Sequence, residues 1–397
     1  MFKNVSNLET RDKVVFLRAD LNVPMKNGKI LDDTRIVATL PTIALLTRGK
    51  AKVVLASHLG KAAGNGFEEE FSLKTVLERL KQLAPETKFY YSRDCVGPET
   101  KKIIAGAEYG SVIMLENLRF HREEEENDGE FARQLAGLAD VYVNDAFATC
   151  HRKHASMVGI PAILESYVGL NLGIELEKLT ELVSNPQKPL AVIVGGSKIS
   201  TKLELLRTLT KKSNHIIVGG GIANTLLFAQ GINIGKSLRE EELKNEVLNL
   251  LSEAEKNDCK IFVPVDVVVT KNVTEKPETE IKNVRELASD DIIADFGPKT
   301  VDLLKKILAS CRTVIWNGPV GIYEISPFDQ GTNSIARLIA KETSDGKIIS
   351  VAGGGDILAA LGRAGVQSEF TYLSTAGGAF LKWLEKGNLP ALEKLNC

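Results

Sequence analysis

A chain of 397 residues is longer than one hydrophobic core usually supports, so two domains of about 200 residues each are expected. Fifty basic side chains against 51 acidic ones leave a net charge of −1, which gives no overall field for nucleic acid or an anionic membrane. Cys95, Cys150, Cys259, Cys311 and Cys397 are scattered without a C-x-x-C pair, the start MFKNVSNLETRDK has no apolar core, and no stretch reaches the length of a membrane span; a cytoplasmic, unexported protein without disulfides or a zinc site is expected.

From the N-terminus, the β-branched runs VVFLRA, VVLAS, FYYS, SVIMLE and VYVNDA alternate with helical patterns such as SLKTVLERLKQLA. Such βαβ repetition predicts parallel sheets covered by helices, with ligands bound just past the carboxyl ends of the strands. Those ends are basic and polar here: Arg18, Asp20 and Asn22, then Arg35, then His58 and Lys61, then Arg119, His121 and Arg122, then His151, Arg152 and His154. A single Arg or His is ordinarily a structural group or a solvated charge. Several at one sheet edge predict a cationic basin for a small, multiply anionic phosphorylated ligand. The run EEEE at 123–126 reads as a solvated helix start.

Strand–helix alternation pauses over 160–189, where a glycine-bearing approach leads into a helix and a proline-flanked exit. The expected fold class is therefore α/β, with two doubly wound, mainly parallel sheet domains of Rossmann-like type joined by a helix, and a hinge between them. Beyond the pause, AVIVGG, HIIVGG, IFVPVDVVV, DIIADFG, TVIWNG, IISVAGG and FTYLST read as strands. Four of these ends run into glycines: VIVGGSKISTKLELL, IIVGGGIANTLLF, SVAGGGDILAAL and LSTAGGAFLKWL. Glycine turns leave helix N–H groups open to a phosphate. Asn224 and Leu358 stand where G-x-G-x-x-G needs its last glycine, so a dinucleotide fingerprint fails twice. Lys198 and Lys202, four apart, set cations against a helix N-terminus capped by Ser200 or Thr201, which suggests a bound anion. Asp356 reads as an N-cap or as a Mg²⁺ ligand. The stretch QGINIGKSL is one residue short of a P-loop and reads as an ordinary surface turn carrying Lys236.

The stretches RADLNVP, LASHLGK, LENLRFH, VNDAFATCHRKHAS, GGSKISTKLELL, VGGGIANTLL, DFGPKT, WNGPVGIYE, GGGDILAAL and STAGGAFLKWL together resemble the phosphoglycerate kinase family over essentially the whole chain. The resemblance implies a monomeric glycolytic kinase with a phosphoglycerate-binding domain, 1–170, and a nucleotide-binding domain, 171–379. A tail from about 380 to 397 would return to the first. The reaction implied is reversible in-line phosphoryl transfer between Mg-ATP or Mg-ADP and 3-phosphoglycerate or 1,3-bisphosphoglycerate after domain closure. The resemblance assigns the phosphoglycerate contacts to Asp20, Asn22, Arg35, His58, Leu59, Gly60, Lys61, Arg119 and Arg152. It assigns the nucleotide contacts to Lys202, Glu324, Gly353, Gly354, Gly355 and Asp356, with Asp356 on Mg²⁺. The transferring group falls to Arg35, Lys198, Lys202, Gly354 and Gly378. Four positions depart from the family pattern: Lys61 for Arg, Ala148 and Ala376 for Gly, and Ile357 for a hydroxyl residue. Two rivals are an NAD-dependent dehydrogenase, disfavoured by the failed fingerprints, and a phospho-ligand-binding protein without catalysis.

Overall fold

The computed structural model describes residues 2–374 and 376–395, so Cys397 lies outside the described residues. The chain divides into two compact units, one running up to Glu177 and resuming at Asn388, the other from Lys178 to Gly387. The division falls within helix Leu170–Leu179.

The first unit is built on six parallel strands: β1 (Val14–Ala19), β2 (Lys52–Ala56), β3 (Phe89–Tyr91), β4 (Val112–Met114), β5 (Val141–Asp145) and β6 (Ser166–Val168), in the order β3-β4-β2-β1-β5-β6. Every residue of β2 and β5 is buried, as expected of parallel strands covered on both faces. Alternate positions Val15, Leu17, Val53, Leu55, Val112 and Val143 join one core cluster. Ile36, Ile43 and Leu46 of helix Thr34–Arg48 and Val76, Leu77 and Leu80 of helix Lys74–Leu83 pack in that cluster, at the three-and-four spacing of a single helix face. Each such side chain stabilises the fold by about 1.5–3 kcal/mol.

The second unit has its own six-stranded parallel sheet: β7 (Leu190–Val194), β8 (His215–Val218), β9 (Lys260–Phe262), and, after a separate small sheet, β13 (Thr313–Asn317), β14 (Ile349–Gly353) and β15 (Tyr372–Ser374). The small sheet is antiparallel and holds β10 (Asp266–Thr270), β11 (Glu280–Asn283) and β12 (Ile292–Phe296) in the order β11-β10-β12. The parallel sheet runs β9-β8-β7-β13-β14-β15. The chain therefore leaves β7 in one direction and returns on its other side at β13, the Rossmann order with a switch point between those two strands.

Three strand expectations need correction. The run IFVPVDVVV is two strands in two sheets, broken around Pro264, which has no N–H to continue a ladder. The strand in DIIADFG pairs antiparallel, not parallel. Ser166–Val168 is a sixth strand of the first sheet, inside the stretch read as a connector.

Candidate functional site

At the switch point of the second unit lies a cleft of about 860 Å³. All four glycine turns contribute to its wall, through Gly195 and Gly196 after β7, Gly220 and Gly221 after β8, Gly354 and Gly355 after β14, and Gly377 after β15. Backbone crowding explains glycine at the first of these: a Cβ on Gly195 would sit 1.8 Å from the carbonyl oxygen of Pro319. Gly354 has φ +120°, in the region that only glycine enters readily. Helices Gly220–Ala229, Gly355–Ala364 and Gly377–Lys386 start at these turns and bring their free N–H groups to the cleft.

Lys202 is half-buried in the cleft wall, and its Nζ donates to Asn317 Oδ1 at 2.6 Å. Asn317, the last residue of β13, donates in turn to the carbonyl of Gly353. Burial pushes the Lys202 ammonium down to about 8, with the Asp356 carboxylate pulling the other way. Sequence reasoning did not single out Asn317, although its WNGP turn is plain. Lys202 is not inside the first helical turn, and neither Ser200 nor Thr201 caps it: the helix runs Leu203–Thr210 with Lys202 itself as N-cap, while Ser200 Oγ donates to Glu240. Asp356 is the second residue of its helix rather than the N-cap, which is Gly354; the carboxylate is thereby left exposed at the cleft. Glu324 lines the same cleft, and Gly353 closes β14 behind it. Ile357 is fully buried and gives the wall an apolar face.

Lys198 and Gly378 are both exposed and stand outside the lining residues, where Lys202 and Gly377 are found. QGINIGKSL is a turn as expected, with Gly231 and Gly235 at positive φ, and its exposed Lys236 stands among the residues that line the cleft. Asp295, at the end of β12, was also missed. It is 1% exposed, accepts from Gly331 N–H at 2.6 Å through Oδ2, and has no partner for Oδ1 among the described residues; burial raises its carboxyl to about 8.

The expected basin of the first unit forms at the carboxyl ends of its strands. Arg35 Nη1 lies 3.0 Å from both Asp20 Oδ2 and the carbonyl of Asn22, while Asn22 Oδ1 accepts from Gly60 N–H at 2.8 Å. Arg119 Nη1 donates to Gly60 O at 2.6 Å, and Asn117 fixes Leu59 through both its N–H and its carbonyl. Gly60 has φ +65°, and a Cβ there would strike the Phe71 ring at 2.3 Å. Arg119 and Arg152 share the Glu125 carboxylate, at 2.9 and 3.9 Å. Arg152 Nε is buried without a hydrogen-bond partner among the described residues. His58 is buried; desolvation first, then the charges of Arg18, Arg119 and Arg152, hold its imidazole well below the usual range, so it is neutral. Lys61 is exposed beside Gly60.

Two readings of the basic strand ends are corrected. His121 turns to Asp94, Nε2 to Oδ1 2.7 Å, and stacks on Phe131; with Cys95 these two form a group whose ligand atoms lie within 4.8 Å of one another. The run 123–126 is a helical turn, but Glu124 within it is fully buried, because Ser156 supplies two donors to its carboxylate. The four described cysteines are free and buried, and no helix among the described residues is long and apolar enough to cross a membrane.

Comparison with known proteins agrees across both units. The family model described as phosphoglycerate kinase matches residues 5–387. Curated relatives named phosphoglycerate kinase include one from Cereibacter sphaeroides, 44% identical over 394 residues, and one from Caulobacter vibrioides, 45% identical over 396, each alignment covering 99% of both chains. The solved phosphoglycerate kinase from Coxiella burnetii superposes with a TM-score of 0.89 at 42% identity, covering 100% of this chain and 99% of that one. The enzyme from Pyrococcus horikoshii gives 0.82 at 30% identity, covering 100% and 98%. The chain thus belongs to the phosphoglycerate kinase family, the phosphotransferases of glycolysis whose acceptor is a carboxyl group.

Proposed function

We propose that the glycine-lined cleft of the second unit holds ATP or ADP and the basic basin of the first holds 3-phosphoglycerate or 1,3-bisphosphoglycerate, the phosphoryl group passing in line between them. The observation that carries this reading is the convergence of all four glycine turns, three helix N-termini and Lys202 on one cleft at the sheet's switch point.

The acceptor carboxylate, with an ordinary pKa near ~4, is ionised at neutral pH and needs no general base. Positioning and charge stabilisation remain as the work of the chain. In this reading Lys202 meets the transferring phosphoryl group, with Asn317 holding its ammonium in place; Arg35, Lys198, Gly354 and Gly378 serve the same group. Glu324 accepts from the ribose hydroxyls. Arg119, Arg152 and Lys61 neutralise the phosphate of phosphoglycerate, and Asp20 and Asn22 orient its hydroxyl. Asp356 offers the exposed, hard oxygen that Mg²⁺ takes alongside phosphate ligands, so the residues present fit that ion. Bound there, Mg²⁺ supplies neutralisation of phosphate charge. The enzyme acts in this reading as a cytoplasmic monomer.

Paired steady-state kinetics test the assignment. Glu324→Ala should raise the nucleotide KM about tenfold, leaving the phosphoglycerate KM within about threefold, and Arg152→Ala should do the reverse. Crossed effects, or equal effects on both substrates, would overturn it.

A further inference from the structure

Behind the basin runs a chain of buried polar groups. Glu124 Oε1 accepts from Ser156 Oγ at 2.5 Å, and Oε2 from Ser156 N–H at 2.9 Å. Burial raises the Glu124 carboxyl above its ordinary value, while the Arg18 charge and the Ser156 bonds pull it back. As a carboxylate it only accepts, so the serine hydroxyl directs its proton toward Glu124 and keeps its lone pairs for another donor. That donor is Arg18 Nε, at 2.9 Å. Tyr142 fixes Ser156 from the other side, its hydroxyl donating to the Ser156 carbonyl at 2.8 Å. Arg18 is itself fully buried; Nη1 donates to Ala19 O, and Nη2 lies 3.3 Å from His58 Nδ1. A guanidinium has no acceptor, so His58 Nδ1 must accept, which leaves the proton of the neutral ring on Nε2.

We propose that Glu124 is a positioning residue: through Ser156 and Arg18 it holds His58 as the Nε2–H tautomer, giving the basin a neutral hydrogen-bond donor beside Arg119 and Arg152. The direction of every bond follows from chemistry: Arg18, in the middle, only donates, on one side through Ser156 to a carboxylate that only accepts and on the other to His58 Nδ1, which must therefore accept. Charge follows the same logic. Arg18 is buried and carries a permanent charge, and Glu124 is the buried carboxylate that offsets it; without that partner the guanidinium would have to shift toward water. His58 with a second proton would add one more cation to a basin already holding Arg119 and Arg152. A neutral donor instead selects ligand oxygens by direction. The consequence for phosphoglycerate rests on the function proposed above, whereas the tautomer does not.

The test is a two-bond ¹H–¹⁵N correlation spectrum of the full-length enzyme labelled at histidine, without ligand, with His58 assigned by its absence in His58→Gln. The wild type should show His58 as a single neutral tautomer, pyrrole-like at Nε2 and pyridine-like at Nδ1. In Glu124→Gln the carboxamide has one acceptor for two serine donors, and Arg18 loses its counter-charge. His58 should become a tautomer mixture and the phosphoglycerate KM should rise about tenfold, with the nucleotide KM within about threefold. Arg18→Lys keeps the charge but not the fork and should also lose the pure tautomer. A wild-type His58 protonated at Nδ1, or at both nitrogens, overturns the proposal even if neither variant folds. So does a pure Nε2–H tautomer in both folded variants. A correct tautomer with an unchanged phosphoglycerate KM would leave the relay standing and contradict the basin's assigned ligand.

Discussion

Replacing Lys202 with methionine separates what that side chain does for chemistry from what it does for the fold. Its ammonium is pushed from 10.5 to about 8 chiefly by burial. At about 1.4 kcal/mol per tenfold change in ionisation, the ceiling on the cost of keeping it charged at neutral pH is about 3 kcal/mol. The side chain is only half-buried, and solvent screening reduces that to about 1 kcal/mol. Methionine removes this cost and also the 2.6 Å bond to Asn317, itself worth about 1 kcal/mol. The two nearly cancel, so Lys202→Met should shift Tm by no more than about 3 °C at pH 7 while kcat falls by at least about 10²-fold. The sign of the pH dependence follows from the same numbers. Between about 8 and 10.5 the unfolded chain holds a proton here that the folded chain has released, so wild-type stability gains from this site as pH rises through that window. The variant lacks the gain. Thermal unfolding at pH 7 and pH 10, beside steady-state kinetics, reads both quantities. Near-normal kcat would refute the role given to Lys202; a loss of several kcal/mol with proportionate loss of activity would show it to be structural.

Two further outcomes concern residues, within QGINIGKSL and DIIADFG, that the sequence did not place at the cleft. Lys236→Ala should raise the nucleotide KM about three- to tenfold with kcat nearly unchanged, since its exposed ammonium stands at the rim; a KM within error of wild type would return it to the status of a surface lysine. Asp295, raised by burial from 3.8 to about 8, binds more protons folded than unfolded between those values, so wild-type stability should fall as pH climbs through them. Asp295→Asn cannot titrate and should gain on the wild type from pH 5 to pH 8 in thermal unfolding; parallel curves would show the carboxyl to be ionised throughout.

The parallel strands were legible because burial on both faces writes them as unbroken apolar runs, and the glycine turns because a strand-to-helix corner crowded by backbone admits little else. Strand order was not legible. Nothing local in TVIWNG says that it pairs with AVIVGG rather than with the nearer DIIADFG, and that pairing is what makes the switch point and brings Asn317 to Lys202. Glu124 looked like its three solvated neighbours because its burial depends on Ser156, 32 residues away. His121 looked like a basin residue because its partner Asp94 is also remote, 27 residues away. Pro264 was the available sign that IFVPVDVVV is two strands.

Transfer from nucleotide to carboxylate is measured most directly by following ADP release from Mg-ATP with and without 3-phosphoglycerate. Wild-type enzyme should form ADP only when nucleotide, Mg²⁺ and 3-phosphoglycerate are all present, with 1,3-bisphosphoglycerate as the second product. ADP formed at the same rate without 3-phosphoglycerate, or none formed with it, would contradict phosphoryl transfer to that acceptor.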